Sequence, residues 1–331
     1  MIWCAPSSRR AGWSTRGRHW TVPVALNPEP MLRIAAYAKI NLGLRVLGRR
    51  ADGYHQIETR FQSVTLADEL RLAPAPEGLR VQMSPSGGVL ERDNLVYRAA
   101  RLLRAQAGRH LGARISIRKR IPFAAGLGGG SSDAAAALVA LNAMWQLKLS
   151  PARLQELAGQ LGSDLPFFLS GGLCRGSGRG EQLEKLPSAY AGSQIVLFKP
   201  DCHLSAAEVY AEFDRLPRAP SPQSAGPCAN ELSAAARRLC PQLEEYRSFL
   251  AQQRVGCAGL SGSGPSCYAI LATLAEAQAF AHLVRQRLGG WVRLVEASPT
   301  GYRWIRGPEL RNRSETRSHR QSSGSHRNSA N

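Results

Sequence analysis

The run Pro122, Phe123, Ala124, Ala125, Gly126, Leu127, Gly128, Gly129, Gly130, Ser131 and Ser132, followed by Asp133 and an alanine-rich stretch, is the part of this sequence best suited to chemistry. Glycines let successive backbone N–H groups turn toward one point. A helix start just beyond them adds orphan donors and the positive end of its dipole, and together these make a cradle for phosphate. Two familiar phosphate loops fail on spacing. No lysine follows the glycines as GxxxxGK[ST] requires, and Ser131 and Asp133 stand where GxGxxG would need glycine. The competing reading is a plain glycine-rich turn with Ser132 or Asp133 as a helix N-cap.

Two further groups could supply the reacting atoms. Lys39 sits in the apolar stretch Ala38-Lys39-Ile40-Asn41-Leu42, where a charge must be paired, face a cleft or point to solvent. Asp164 precedes Pro166 in Gly162-Ser163-Asp164-Leu165-Pro166-Phe167-Phe168. It is either an ordinary helix cap or a base for a hydroxyl, with the two phenylalanines as an apolar wall. Tyr54 and His55, after Gly53, could stack on and hydrogen-bond a planar base, or simply close a hairpin. A second glycine turn, Gly259 to Ser266, is suited to touching substrate or the first loop.

Local patterning supplies the elements that must hold these groups. Arg33 to Leu47 and Arg60 to Leu72 read as extended, Asn94 to Leu103 as a helix, and Arg114 to Arg118 as a strand. The glycine run then leads into a helix expected over 133–147, and Ser150-Pro151 opens another that ends near Leu161. Beyond it come a strand from Gly192 to about Lys199, a Pro/Ser/Ala-rich loop over 220–229, and strand, glycine turn and strand from Val255 to Leu271. A helix from Leu274 to Leu288 and a last strand from Trp291 to Glu296 follow. Strands and helices interleave without strict alternation, so the class is α+β.

The 331 residues exceed what one core usually organises, which favours two domains. They are expected at 31–190 and 191–306. Residues 1–30, without apolar periodicity, read as an unstructured N-terminal extension. They resemble either a targeting peptide or a stretch upstream of a true start at Met31, and the second reading is preferred. Residues 307–331, rich in Ser, Arg, Asn and His, read as a disordered basic tail. No apolar run approaches the roughly 18 residues of a spanning helix; the longest, Ala134 to Leu147, is broken by Asn142 and Gln146. The net charge of +19 suits a protein that handles anions. It forms no basic stripe with interleaved aromatics, and no RNP, KH or helix-turn-helix pattern is visible, so nucleic acid and membrane are not expected partners. The seven cysteines are scattered, contain no CxxC and suggest no disulfide framework, which points to a reducing, cytoplasmic home.

In order and spacing these pieces resemble the GHMP small-molecule kinases, from about Arg33 to Tyr302. The similar motifs are AKINL at 38–42, RADGYH at 50–55, GLGGGSSDAA at 126–135, GSDLPFF at 162–168 and the late GSGP turn. The resemblance implies a GHMP kinase-like fold, with an N-terminal domain like ribosomal protein S5 domain 2, a ferredoxin-like C-terminal domain and the site between them. It implies transfer of the γ-phosphoryl of ATP, accompanied by Mg2+, to an alcohol. The expanded glycine run and the GYH element point within the family to a cytidyl-diphosphate-linked methylerythritol, phosphorylated on its 2-hydroxyl in the non-mevalonate isoprenoid route, rather than to homoserine, mevalonate or galactose. By motif position Asp164 would be the catalytic base and Lys39 its positive neighbour, stabilising the developing alkoxide. Residues 122–132 would hold the ATP phosphates, and Asn41, Tyr54 and His55 would contact the cytidyl substrate. The resemblance leaves the metal ligands and the oligomeric state open.

Overall fold

The structure is a computed structural model that describes residues 31–108, 111–217, 226 and 228–307. The readings of 1–30, 308–331 and most of the 220–229 loop lie outside the described residues. In chain order the first unit comprises β1 (Leu32–Arg49), β2 (His55–Ala75), β3 (Leu79–Ser84), α1 (Leu95–Ala107), β4 (Gly112–Arg118), α2 (Gly129–Met144), α3 (Pro151–Leu161), α4 (Leu165–Ser170), β5 (Leu173–Ser177) and β6 (Gln182–Lys185). There follow β7 (Gln194–Lys199), α5 (Ala206–Arg215), α6 (Ser233–Leu239), α7 (Leu243–Ala251), β8 (Cys257–Leu260), β9 (Cys267–Leu271), α8 (Leu274–Arg287), β10 (Trp291–Glu296) and β11 (Tyr302–Arg306).

The helices begin and end where local chemistry directs. Asn94 caps α1, its side chain accepting from the Val96 N–H, and Val96, Ala99, Ala100 and Leu103 bury one face in the core that α1 shares with α2 and β3. Ser150 caps α3 with Pro151 in the first turn, and Thr273 and Glu276 form a reciprocal capping box on α8. α2 is apolar almost all round because it is the central helix, packed on β1 and β2 on one side and on α1, α3 and α4 on the other. Leu138 and Leu141 are fully buried there, each contributing roughly 1.5–3 kcal/mol of transfer free energy.

Among the described residues the strands form two sheets. One runs β11-β1-β2-β4-β3, with β5 and β6 attached to β2, and the other runs β10-β7-β9-β8. The second sheet, with its helices, has the ferredoxin-like strand order. β1 reads as a nearly continuous buried run because both of its faces are covered. The two sheets share an apolar layer in which Ile40, Leu42 and Val64 of the first meet Ile195, Leu197, Tyr268 and Val295 of the second.

Three expectations need correction. The strand Trp291–Glu296 is not the last: β11 returns to pair antiparallel with β1, so residues assigned to the second domain complete the sheet of the first. That pairing is between segments about as far apart in the folded chain as any, and nothing local announces it. The central helix begins at Gly129 rather than 133. Its N-cap is Gly128 in the left-handed conformation, so neither Ser132 nor Asp133 is a cap. Glycines that read as loop are helical because packing outweighs their roughly 1 kcal/mol propensity penalty. Finally, cysteines read as unpaired thiols form two disulfides, Cys202–Cys240 and Cys228–Cys257, while Cys174 and Cys267 are free and buried. The partners lie 38 and 29 residues apart in the chain, and sequence spacing carries no sign of their meeting.

Candidate active site

Lys39 and Asn41 share a face of β1 because side chains alternate along a strand. The β1–β2 register slips on either side of them, at Tyr37/Ala38 and between Asn41 and Leu44. Such irregularities re-aim side chains next to functional sites. Lys39 is 5% exposed rather than solvent-facing. Its Nζ donates to Asn41 Oδ1 at 2.6 Å and stands 3.7 Å from Asp164 Oδ2, with the Phe61 ring 5.4 Å away. Burial lowers the pKa of Lys39 from the usual lysine value, and the nearby Asp164 carboxylate opposes that shift. Asn41 is itself held, its Nδ2 donating to Thr59 Oγ1 at 3.0 Å.

Asp164 occupies the N-cap position of α4, yet its side chain makes no capping hydrogen bond. The carboxylate turns to Lys39 instead and remains about one-third exposed, open to the cleft. Behind it Phe167 and Phe168 are buried with Phe61 in a small aromatic cluster, the two rings of Phe61 and Phe167 lying 5.0 Å apart. Phe168 also packs against Gly128, where an added Cβ would meet its ring at 2.6 Å and Lys39 Cγ at 3.2 Å. The wall that sequence placed beside the aspartate thus also packs against the glycine loop.

The loop approaches from the opposite side. Ala124, Gly126 and Gly128 have positive φ, and the Lys39 N–H donates to the Leu127 carbonyl at 3.1 Å. Ala125 and Leu127 are buried in the apolar layer, and the Ser132 hydroxyl is spent on the Tyr37 carbonyl at 2.6 Å. Of the run 122–132, these three side chains therefore face away from any ligand. The GSGP turn touches the first loop: Ser261 Oγ donates to the Gly126 carbonyl at 3.0 Å and accepts from the Asn41 N–H at 3.2 Å. A Cβ at Gly126, already at φ +72°, would lie 2.2 Å from the Ser261 carbonyl oxygen. Gly126→Ala is therefore expected to drive the two turns apart, raising KM for the nucleotide and lowering Tm by on the order of 5 °C, since overpacking costs about 1–3 kcal/mol. Thermal unfolding and nucleotide kinetics on one preparation check this; an unchanged Tm would show that the turns separate without cost.

These groups line a cleft of about 490 Å³ between the two units, together with Arg179, Ser263 and Tyr210. At one end His55 stacks on Tyr210, ring centroids 4.7 Å apart, with its Nε2 2.8 Å from Asp214 Oδ1. Burial raises the pKa of the Tyr210 hydroxyl above the ordinary tyrosine value. Tyr54, a residue 56% exposed, lies in the β1–β2 hairpin loop, where its carbonyl accepts from the Arg50 N–H and its ring carries the Arg179 guanidinium 4.8 Å above it. Sequence reasoning missed Tyr210, Asp214 and Arg179. Only the i, i+4 spacing of Tyr210 and Asp214 on one face of α5 could have hinted at the first two.

The glycine loop, the buried lysine and the open carboxylate meet in one cleft of a small-molecule kinase fold of the GHMP type. The family models described as GHMP kinases N terminal domain and GHMP kinases C terminal match residues 94–172 and 214–289. The chain is 43% identical to the 4-diphosphocytidyl-2-C-methyl-D-erythritol kinase of Pelotomaculum thermopropionicum, over 76% of its own length and 93% of the relative's. It is 40% identical to the enzyme of that name from Moorella thermoacetica, over 73% and 90%. A crystal structure of 4-(cytidine 5'-diphospho)-2C-methyl-D-erythritol kinase superposes with a TM-score of 0.66 at 35% identity, covering 80% of this chain and all of that one. A homoserine kinase from Cytophaga hutchinsonii, TM-score 0.67 at 17% identity, shares the fold. The chain belongs to the 4-diphosphocytidyl-2-C-methyl-D-erythritol kinase family of GHMP kinases. Among the described residues, no helix is long and apolar enough to cross a membrane.

Proposed function

We propose that this kinase transfers the γ-phosphoryl of ATP to the 2-hydroxyl of 4-diphosphocytidyl-2-C-methyl-D-erythritol, a step of non-mevalonate isoprenoid synthesis. The observation that carries the site assignment is the Lys39–Asp164 pair, 3.7 Å apart and facing the glycine cradle across one cleft. Phosphoryl transfer asks little covalent participation of a protein; it needs in-line positioning and neutralisation of spreading negative charge. Asp164 accepts the proton of the substrate hydroxyl as its oxygen bonds to the γ-phosphorus and the bond to the ADP oxygen breaks. Lys39 offsets the charge gathering on the alkoxide, and Asn41 Oδ1 fixes its ammonium. The N–H groups of the loop and of the first turn of α2 hold the polyphosphate. Magnesium arrives as MgATP, part of the substrate. Among the described residues, no three His, Cys, Asp or Glu side chains are grouped so as to hold an ion.

We assign the cytosine to the end of the cleft lined by Tyr210 and Arg179, where His55 stacks behind Tyr210 and the Tyr54 ring lies against Arg179. Tyr54→Ala is expected to raise KM for the cytidyl substrate by roughly 5- to 150-fold, the equivalent of 1–3 kcal/mol of base–aromatic stacking, and to leave KM for ATP nearly unchanged. Because Tyr54 is an exposed residue, its truncation should not lower Tm; equal effects on both substrates would make it a structural tyrosine. The assignment as a whole is tested by ATP consumption with the cytidyl-diphosphate substrate, mevalonate and homoserine compared side by side. Turnover of mevalonate or homoserine but not the cytidyl compound would assign the site to another alcohol.

A further inference from the structure

Beneath the glycine loop lies a charged group that the reaction does not use. The side chain of Lys119, just beyond β4, is 4% exposed, and its Nζ donates both to Asp68 Oδ2 of β2 and to Asp133 Oδ2 of α2, the second at 2.7 Å. Both carboxylates are as buried as the lysine. Asp68 Oδ1 also accepts from the backbone N–H groups of Arg120 and Ile121, whereas Asp133 Oδ1 has no partner. Lys119 Nζ sits 3.2 Å from where a Cβ on Gly129, the first residue of α2, would be.

We propose that Lys119 is a positioning residue for the nucleotide cradle, clamping both ends of the loop to one buried centre, and that Asp133 serves this clamp as a neutral carboxylic acid. The inference rests on the reading of residues 122–132 as the ATP cradle. The loop is held upstream where Asp68 takes the Arg120 and Ile121 N–H groups, and downstream where Lys119 reaches Asp133 on α2. Two buried carboxylates sharing one ammonium would leave an uncompensated negative charge under a polyphosphate site, and one proton removes it. The proton belongs on Asp133. Asp68 accepts three hydrogen bonds, using both oxygens, while Asp133 accepts one and has a second oxygen with no partner, free to carry a hydrogen. Burial accordingly pushes the Asp133 carboxyl well above the usual carboxylate range.

The two aspartates should therefore respond differently to the same change. Asparagine at 133 can keep its carbonyl on Lys119 and set its amide where Asp133 Oδ1, which has no hydrogen-bond partner, now stands. Asparagine at 68 must set an amide N–H against either Lys119 or the two backbone donors, in any orientation. Titration of the full chain with a non-hydrolysable ATP analogue reads this without turnover. Asp133→Asn should bind the analogue within about threefold of wild type with no loss of Tm, while Asp68→Asn should bind at least about tenfold more weakly, a loss of 1.4 kcal/mol or more. KM for the acceptor should move by less than about threefold in either variant. Infrared difference spectra of wild type against Asp133→Asn at neutral pH should show a carboxylic-acid C=O band that vanishes in the variant, a reading independent of whether Asp68→Asn folds. Equal losses of analogue binding in both variants, equal loss of both substrates in Asp68→Asn, or no such band would each overturn the clamp while leaving the kinase reading intact. Failure of the wild-type chain to bind the analogue would overturn the cradle reading and the clamp with it.

Discussion

Asp164→Asn is expected to lower kcat by roughly 10²- to 10⁴-fold, the range of general-base contributions, with Tm and ATP affinity close to wild type. The structure sharpens this expectation, because the side chain at 164 makes no hydrogen bond to the N–H groups of α4. Asparagine therefore disturbs no cap, and it is close in size to the side chain it replaces. It cannot take the hydroxyl proton, and it withdraws the negative partner of Lys39. Measuring kcat and Tm on the same preparation decides the matter: near-normal turnover would remove Asp164 from the chemistry.

Lys39→Met is the second large effect, an expected loss of about 10²-fold or more in kcat, since electrostatic stabilisation of developing charge is worth about 2.7–4 kcal/mol per removed donor. Its stability should move the other way. Burial holds the lysine's folded pKa below its unfolded value, so the unfolded chain binds that proton more tightly. The resulting penalty is fully present at pH values below the folded pKa and fades as pH rises through the unfolded one. At neutral pH a methionine of similar volume escapes it, so Tm should hold or rise even as activity collapses. The same shift fixes the alkaline behaviour of the wild-type enzyme. The protonated lysine is the working form, so kcat should fall as pH rises at values below the ordinary lysine pKa of about 10.4. The residual rate of Lys39→Met should show no such limb. Lower Tm together with lower activity would mean that Lys39 is chiefly a structural partner of Asn41 and Asp164.

Local features were legible from the residues alone. The helical spacing from Asn94 to Leu103, the Ser150-Pro151 helix start, the alternation of β4 and the glycines that let the loop turn its N–H groups are decided by residues within a few positions of each other. The family resemblance singled out Lys39, Asp164 and the loop as candidates, because a motif is read from residue type in chain order. The tertiary structure decided everything that depends on distant segments meeting. Whether Lys39 faced solvent or a cleft was open in the sequence, since period-two alternation does not say what covers each face of a strand; α2, the second sheet and the irregular register around it settle that. Whether Asp164 capped a helix was open too, because an N-cap and a base look alike until the direction of the carboxylate is known. The return of β11, the pairing of four cysteines, the stacking of Tyr210 on His55 and the sharing of Lys119 between Asp68 and Asp133 all join residues from separate elements. Such contacts are selected by packing and by the cost of burying an unpaired charge or donor, and those terms act only once the chain has closed around them.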